Sequence, residues 1–122
     1  MTEPREQVLQ AVYAAEQAGD KDVALQGLSK KAQRLAFGVW ERRDELDQAL
    51  SAVSDRWRVE RMPVVDRNVL RLALYELRHE PNTPTAVIIS EAVELAKQYS
   101  TDKSGAFVNG VLGRLAKEVR GE

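Results

Sequence analysis

The sequence predicts an all-α protein, a compact bundle of six or seven helices, on three observations. Apolar residues recur at spacings of three and four from Val8 to Val119, which is the period of one helical face. No segment longer than a few residues alternates apolar with polar, so no sheet is expected. The breaks between stripes carry Gly, Pro, Ser, Thr and Asp, the residues that stop, start and cap helices.

Each helix follows from its own stripe. Pro4 suits a first turn, and Val8, Leu9, Val12 and Tyr13 run to a stop at Gly19, giving a helix over about 4 to 18. After "GDKD", the positions Leu25, Leu28, Ala32, Leu35 and Val39 recur, pause at "ERRDE", and resume at Leu46, Leu50, Val53 and Trp57. This predicts two helices, or one long helix kinked near Arg43, over about 23 to 57. Pro63 restarts the chain, and the segment Val65 to Leu77 is apolar round most of its circumference, so its helix is central. "HEPNTPT" is a loop with two prolines, and its Thr85 is a candidate cap for a helix over about 86 to 99 striped by Val87, Ile88, Ala92, Leu95, Ala96 and Tyr99. "STDKS" leads into the last helix, with Thr101 or Asp102 as N-cap.

That last helix contains "SGAFVNGVLGRL", Ser104 to Leu115. On a helical wheel Phe107, Val108, Val111, Leu112, Leu115 and Val119 fall within an arc of about 140°. The back of the wheel holds Asn109, Gly110, Gly113 and Lys117. Each interior glycine costs roughly 0.5–1 kcal/mol relative to alanine, so something is expected to approach that face closely. Packing of a neighbouring helix is the first expectation, and a surface left open to a ligand the second.

Composition narrows the function classes. A chain of 122 residues is about one domain, or two small lobes sharing a core. With 43% hydrophobic and 30% charged residues it is globular, and no apolar run approaches a membrane span. The N-terminal "MTEPREQVLQ" has the character of neither a signal nor a transit peptide. The absence of cysteine excludes disulfides and thiolate chemistry and fits a reducing cytoplasm. A net charge of −1 leaves nucleic-acid binding to a local patch.

Catalysis finds little to use. His79 is the sole histidine, and a structural or surface role is its plain reading. "ELRH" supplies one Glu-x-x-His, where a di-iron bundle needs two and further carboxylates, so no metal is expected. Glu91 and Glu94 read as ion-pair partners of an arginine such as Arg71. No glycine-rich phosphate loop is present, and no cofactor is implied.

Two basic and aromatic clusters remain. "DRWRVERMPVVDR", Asp55 to Arg67, sets four arginines around Trp57, either a solvated face over a buried Trp57 or a stacking and docking surface. "KQYSTDKSGAF", Lys97 to Phe107, joins two helices and offers free N–H groups at a positive helix end, with Tyr99 and Phe107 as possible stacking platforms.

Three segments, "VDRNVLRLALYELR" (Val65 to Arg78), "AVIISEAVELAKQYS" (Ala86 to Ser100) and "FVNGVLGRL" (Phe107 to Leu115), resemble in order and spacing the hallmark segments of the NusB family of bacterial transcription antitermination factors. "QVLQAVYAAE" in the first helix resembles it more weakly. The resemblance implies an all-helical fold of two small subdomains over residues 1–122, no enzyme activity, and a cytoplasmic role in the transcription elongation complex. It implies a heterodimer with the small-subunit ribosomal protein also called NusE, the pair binding boxA-type single-stranded RNA. By position, the RNA surface would include Arg5, Tyr99, Lys103, Phe107 and Asn109, and the NusE-facing surface Asp66 and Arg67.

This chain departs from the family pattern in places. Arg5, flanked by Glu3 and Glu6, stands where members usually have an arginine-rich start, Ser90 replaces an Asn and Gly113 an Asp. Fewer phosphate contacts release fewer counterions, so weak RNA binding by the isolated chain is expected, strengthened by the ribosomal partner. Alternatives are a protein-binding helical module with little RNA binding, a NusB-like domain of the kind attached to RNA cytosine methyltransferases, disfavoured because no catalytic domain follows Glu122, and a homodimer that hides the RNA face.

Overall fold

The computed structural model describes residues 4–19, 27–54 and 59–121. They form six α-helices and one turn of 3₁₀ helix, and no strand occurs among the described residues. The helices are α1 (Pro4–Ala18), α2 (Lys30–Glu41), α3 (Arg43–Val53), α4 (Val64–His79), α5 (Thr85–Tyr99) and α6 (Asp102–Arg120), with the 3₁₀ turn at Val59–Arg61. The fold class is all-α, as the periodicity predicted.

Local chemistry sets most of the ends. Pro4 opens α1, where a missing N–H costs nothing, and Gly19 closes it at φ 70°, donating to the Ala15 carbonyl. Helix α2 begins at Lys30, where the Ser29 hydroxyl accepts from the Ala32 N–H and caps it; the expected helical start near 23 lies outside the described residues. Leu28 therefore precedes the helix, while Leu25 lies outside the described residues. The chain breaks at Arg42, giving two helices and not one kinked helix. The stripe of α3 ends at Val53, and Trp57, the centre of the predicted arginine cluster, lies outside the described residues together with Arg56 and Arg58.

Helix α4 is the axis of the protein. Eleven of its residues are buried, and it packs against each of the other five helices. Only Ser100 and Thr101 separate α5 from α6, so these helices return on each other as an antiparallel pair. Thr101 caps α6, its hydroxyl accepting from the Ser104 N–H at 3.1 Å. Thr85 does not cap α5. Its hydroxyl instead accepts from Arg120, whose guanidinium also donates to the carbonyls of Leu77, Thr83, Glu76 and Glu80 and so gathers the end of α4 and the following loop onto α6.

The glycines reverse one expectation. A Cβ at Gly110 or Gly113 would meet nothing within 4 Å, so neither admits a neighbouring helix of this chain. Close approach occurs at Gly38 of α2, where a Cβ would overlap the Tyr75 ring of α4. Of the predicted α6 stripe, Val108, Val111, Leu112 and Leu115 are buried, and Phe107 and Val119 are half-buried against the core.

Candidate nucleic-acid and partner interface

The site begins where the start of α1 meets α4 and the end of α5. Arg5 does not stand free. Its guanidinium forks onto the Glu76 carboxylate at 2.9 and 3.0 Å. Arg5 is 15% and Glu76 3% exposed at the side chain. A carboxylate this deep requires a partner. Burial pushes its carboxyl up, and Arg5 pulls it part of the way back. The neighbouring Glu6 accepts a hydrogen bond from the exposed Tyr99 hydroxyl at 3.0 Å, which raises the phenol's pKa and ties α1 to α5.

Asp66 also departs from its expected place. It was assigned to a partner-facing surface, yet it is 3% exposed, because the corner between α5 and α6 covers it. Burial raises its carboxyl above the usual range, partly offset by the hydroxyls of Ser104 and Ser100. Those hydroxyls lie 2.9 Å apart, and the Asp66 Oδ1 is buried without a hydrogen-bond partner. Asp66 thus lies beneath the two-residue connection that carries Tyr99 on one side and Lys103 on the other.

Arg67 is half-buried and bonded to Glu16 at 2.9 Å. Arg71 binds Asp47 through two contacts of 2.7 Å and Glu16 at 3.1 Å. Its partners are therefore not Glu91 or Glu94. The carboxylates of Glu16, Asp44, Asp47 and Glu60 line an open cleft of about 680 Å³ with these two arginines, an arrangement that holds elements together and leaves little positive charge for a phosphate.

The exposed part of the corner is uneven. Lys103 and Phe107 stand four residues apart on one flank of α6, with Lys103 exposed and Phe107 half-buried. Asn109 is exposed about 160° further round the helix, beside the open surface of Gly110 and Gly113. Lys103 and Phe107 thus share one flank of α6, Asn109 belongs to another, and Tyr99 closes α5 just before the connection, bonded to Glu6 of α1. Sequence reasoning missed Tyr13, which it assigned to the core stripe of α1 but which is 48% exposed. Tyr13 and Tyr99 flank an apolar groove of about 330 Å³ lined by Leu9, Gln10, Val65 and Asn68.

His79 is exposed at the end of α4, its ring 4.7 Å from that of Tyr75. Its pKa is lowered, first by burial and then by Arg42 and Arg78. Among the described residues no group of three or more His, Asp or Glu could hold a metal ion, and no helix is long and apolar enough to cross a membrane.

The sequence model of the NusB family matches residues 2–117. The chain belongs to the NusB family. It is 40% identical over 136 aligned positions to the transcription antitermination protein NusB of Symbiobacterium thermophilum, covering 96% of this chain and 89% of that protein. The solved structure of T. maritima NusB superposes with a TM-score of 0.85 at 40% identity, over 96% of this chain and 92% of that one. A chain from the crystal structure of the antitermination factors NusB and NusE in complex with double-stranded RNA shares the fold, with a TM-score of 0.82 at 23% identity over 94% of each. The NusB family comprises non-catalytic antitermination factors, so this member is not an enzyme. The matched region contains every residue of the corner and groove described above.

Proposed function

We propose that this chain is a transcription antitermination factor that binds boxA-type single-stranded RNA together with the ribosomal protein NusE, within the elongation complex of the bacterial cytoplasm, and so supports ribosomal RNA transcription. The observation that carries this reading is the family match across nearly the whole chain. The solved NusB and NusE structure with RNA names partners of the same two classes. Tyr99, Lys103 and Phe107 offer a base-stacking edge with one uncommitted cation, suited to splayed single-stranded bases, and Asn109 offers edge hydrogen bonds from the next face.

A second reading, a protein-binding module with little RNA affinity of its own, is favoured by the Arg5 to Glu76 bridge, since a guanidinium held by a carboxylate neutralises no phosphate. Both readings predict weak RNA binding by the isolated chain and diverge once the partner is added. A fluorescence titration of a boxA-like strand, at two salt concentrations with and without NusE, tests them. The expected outcome is a shallow salt slope alone and a steeper, tighter curve with NusE. Tight, steeply salt-dependent binding by the isolated chain would contradict the assignment of its arginines. If NusE binds and boxA adds nothing, the protein-module reading prevails. Light scattering of the same samples tests whether a homodimer competes with the NusE complex.

A further inference from the structure

The first turn of α2 is built against its own electrostatics. It holds Lys30 and Lys31 and no acidic residue, although the N-terminus is the positive end of a helix dipole and favours carboxylates. Arg34, one turn on, is bound through both terminal nitrogens to the Glu80 carboxylate at 2.9 and 3.0 Å. Lys30 and Lys31 are exposed, and neither forms an ion pair among the described residues. Lys31 lies near enough to Glu76 and Glu80 for its charge to favour both carboxylates, but Arg5 and Arg34 already occupy them. The two lysines therefore add net positive charge to this surface, at the expense of the helix that carries them.

That surface is continuous with the start of α1. The Ser29 N–H, immediately before the lysines, donates to the Gln7 Oε1 at 3.3 Å, and Arg5, on the same turn of α1, binds the Glu76 carboxylate that also feels Lys31. Glu6, between Arg5 and Gln7, accepts from the Tyr99 hydroxyl. The opening turn of α1 thus joins Tyr99 on one side to the start of α2 on the other. The occupant follows from composition. Between Ser29 and Arg34 no large apolar side chain is exposed, so a protein partner finds no anchor there. Clustered lysines without apolar neighbours suit a phosphate backbone, which presents closely spaced charge whatever its sequence.

We infer that single-stranded RNA continues across the start of α1 onto α2, where Lys30 and Lys31 contact its phosphates and supply the charge that Arg5, held by Glu76, does not. This rests on the reading that the chain binds boxA-type RNA with NusE, and it extends the RNA surface to a helix outside the motifs that carry the family resemblance.

The test is a fluorescence titration of a boxA-like strand with the complex of the full chain and NusE, at salt concentrations from about 50 to 200 mM. It compares the wild type with the double variants Lys30→Gln/Lys31→Gln and Lys30→Arg/Lys31→Arg. Each phosphate contact on a single strand contributes about 0.7 to the slope of log K against log salt. The glutamine pair is expected to make that slope shallower by about 1.4 and to weaken binding roughly tenfold at the lowest salt, while the arginine pair keeps wild-type values. Thermal melts should show the glutamine variant at least as stable as the wild type, because two cations have left the positive end of α2, so its lost RNA affinity does not reflect a lost fold. Its affinity for NusE without RNA should be unchanged. A slope and affinity that the glutamine pair leaves at wild-type values overturn the inference while the RNA reading stands. An equal loss of NusE affinity in the absence of RNA also overturns it and moves the lysines to a protein interface. If the wild-type complex does not bind the strand, the reading and the inference fall together.

Discussion

Glu76 is buried in the middle of α4, and Arg5 answers its charge from the first turn of α1. Removing one partner of such a pair leaves an uncompensated buried charge. Arg5→Met is therefore expected to destabilise the fold by roughly 3–5 kcal/mol, toward the lower figure because Arg5 retains 15% exposure. The second change Glu76→Gln should recover much of the loss. Urea unfolding measures both, and a midpoint unmoved by Arg5→Met would show that the bridge contributes nothing. Asp66 makes a pH prediction of definite sign. Burial raises its folded pKa above the ordinary 3.8, so the folded protein binds this proton more tightly than the unfolded chain. The resulting stability is fully present below the unfolded pKa and is lost as pH rises through the folded value. Asp66→Asn lacks this dependence, so its Tm should rise relative to wild type as pH is increased from about 4 toward neutrality. A difference independent of pH would refute the assignment.

Among the helices, α6 and α2 use glycine for opposite ends. Gly110 and Gly113 face open space, so alanine at both should gain about 0.5–1 kcal/mol each from helix propensity alone, with a higher Tm. If that double variant also loses RNA or NusE binding, the open surface beside Asn109 is functional. If binding is unchanged, these glycines serve neither packing nor recognition. Gly38→Ala should instead destabilise the protein, because α2 and α4 must part to clear the Tyr75 ring. Thermal melts of the three variants side by side check both signs. The same contrast explains what the wheel could reveal. It identified the buried stripe of α6, since burial follows a 3.6-residue period, but it could not tell which glycine touches another helix, since that depends on residues far away in the chain.

At the scale of the whole molecule, buried residues of all six helices join in one cluster, and α4 packs against every other helix. Unfolding is accordingly expected as one cooperative step, with far-UV circular dichroism and tryptophan fluorescence giving coincident transitions. Two separated transitions would mean that the lobes unfold independently.

The sequence by itself determined the helical class, the central place of α4 and the family, because apolar periodicity and motif spacing are local properties that any fold of this chain must satisfy. It also put Tyr99 and Lys103 at the two ends of one short connection, since only Ser100 and Thr101 separate α5 from α6. Only the tertiary structure decided that Arg5 is held by Glu76, that Asp66 is buried, and that Tyr13 and Tyr99 flank an apolar groove. Arg5 and Glu76 alone lie 71 residues apart in the chain, and charge and burial at such distances depend on which surfaces meet.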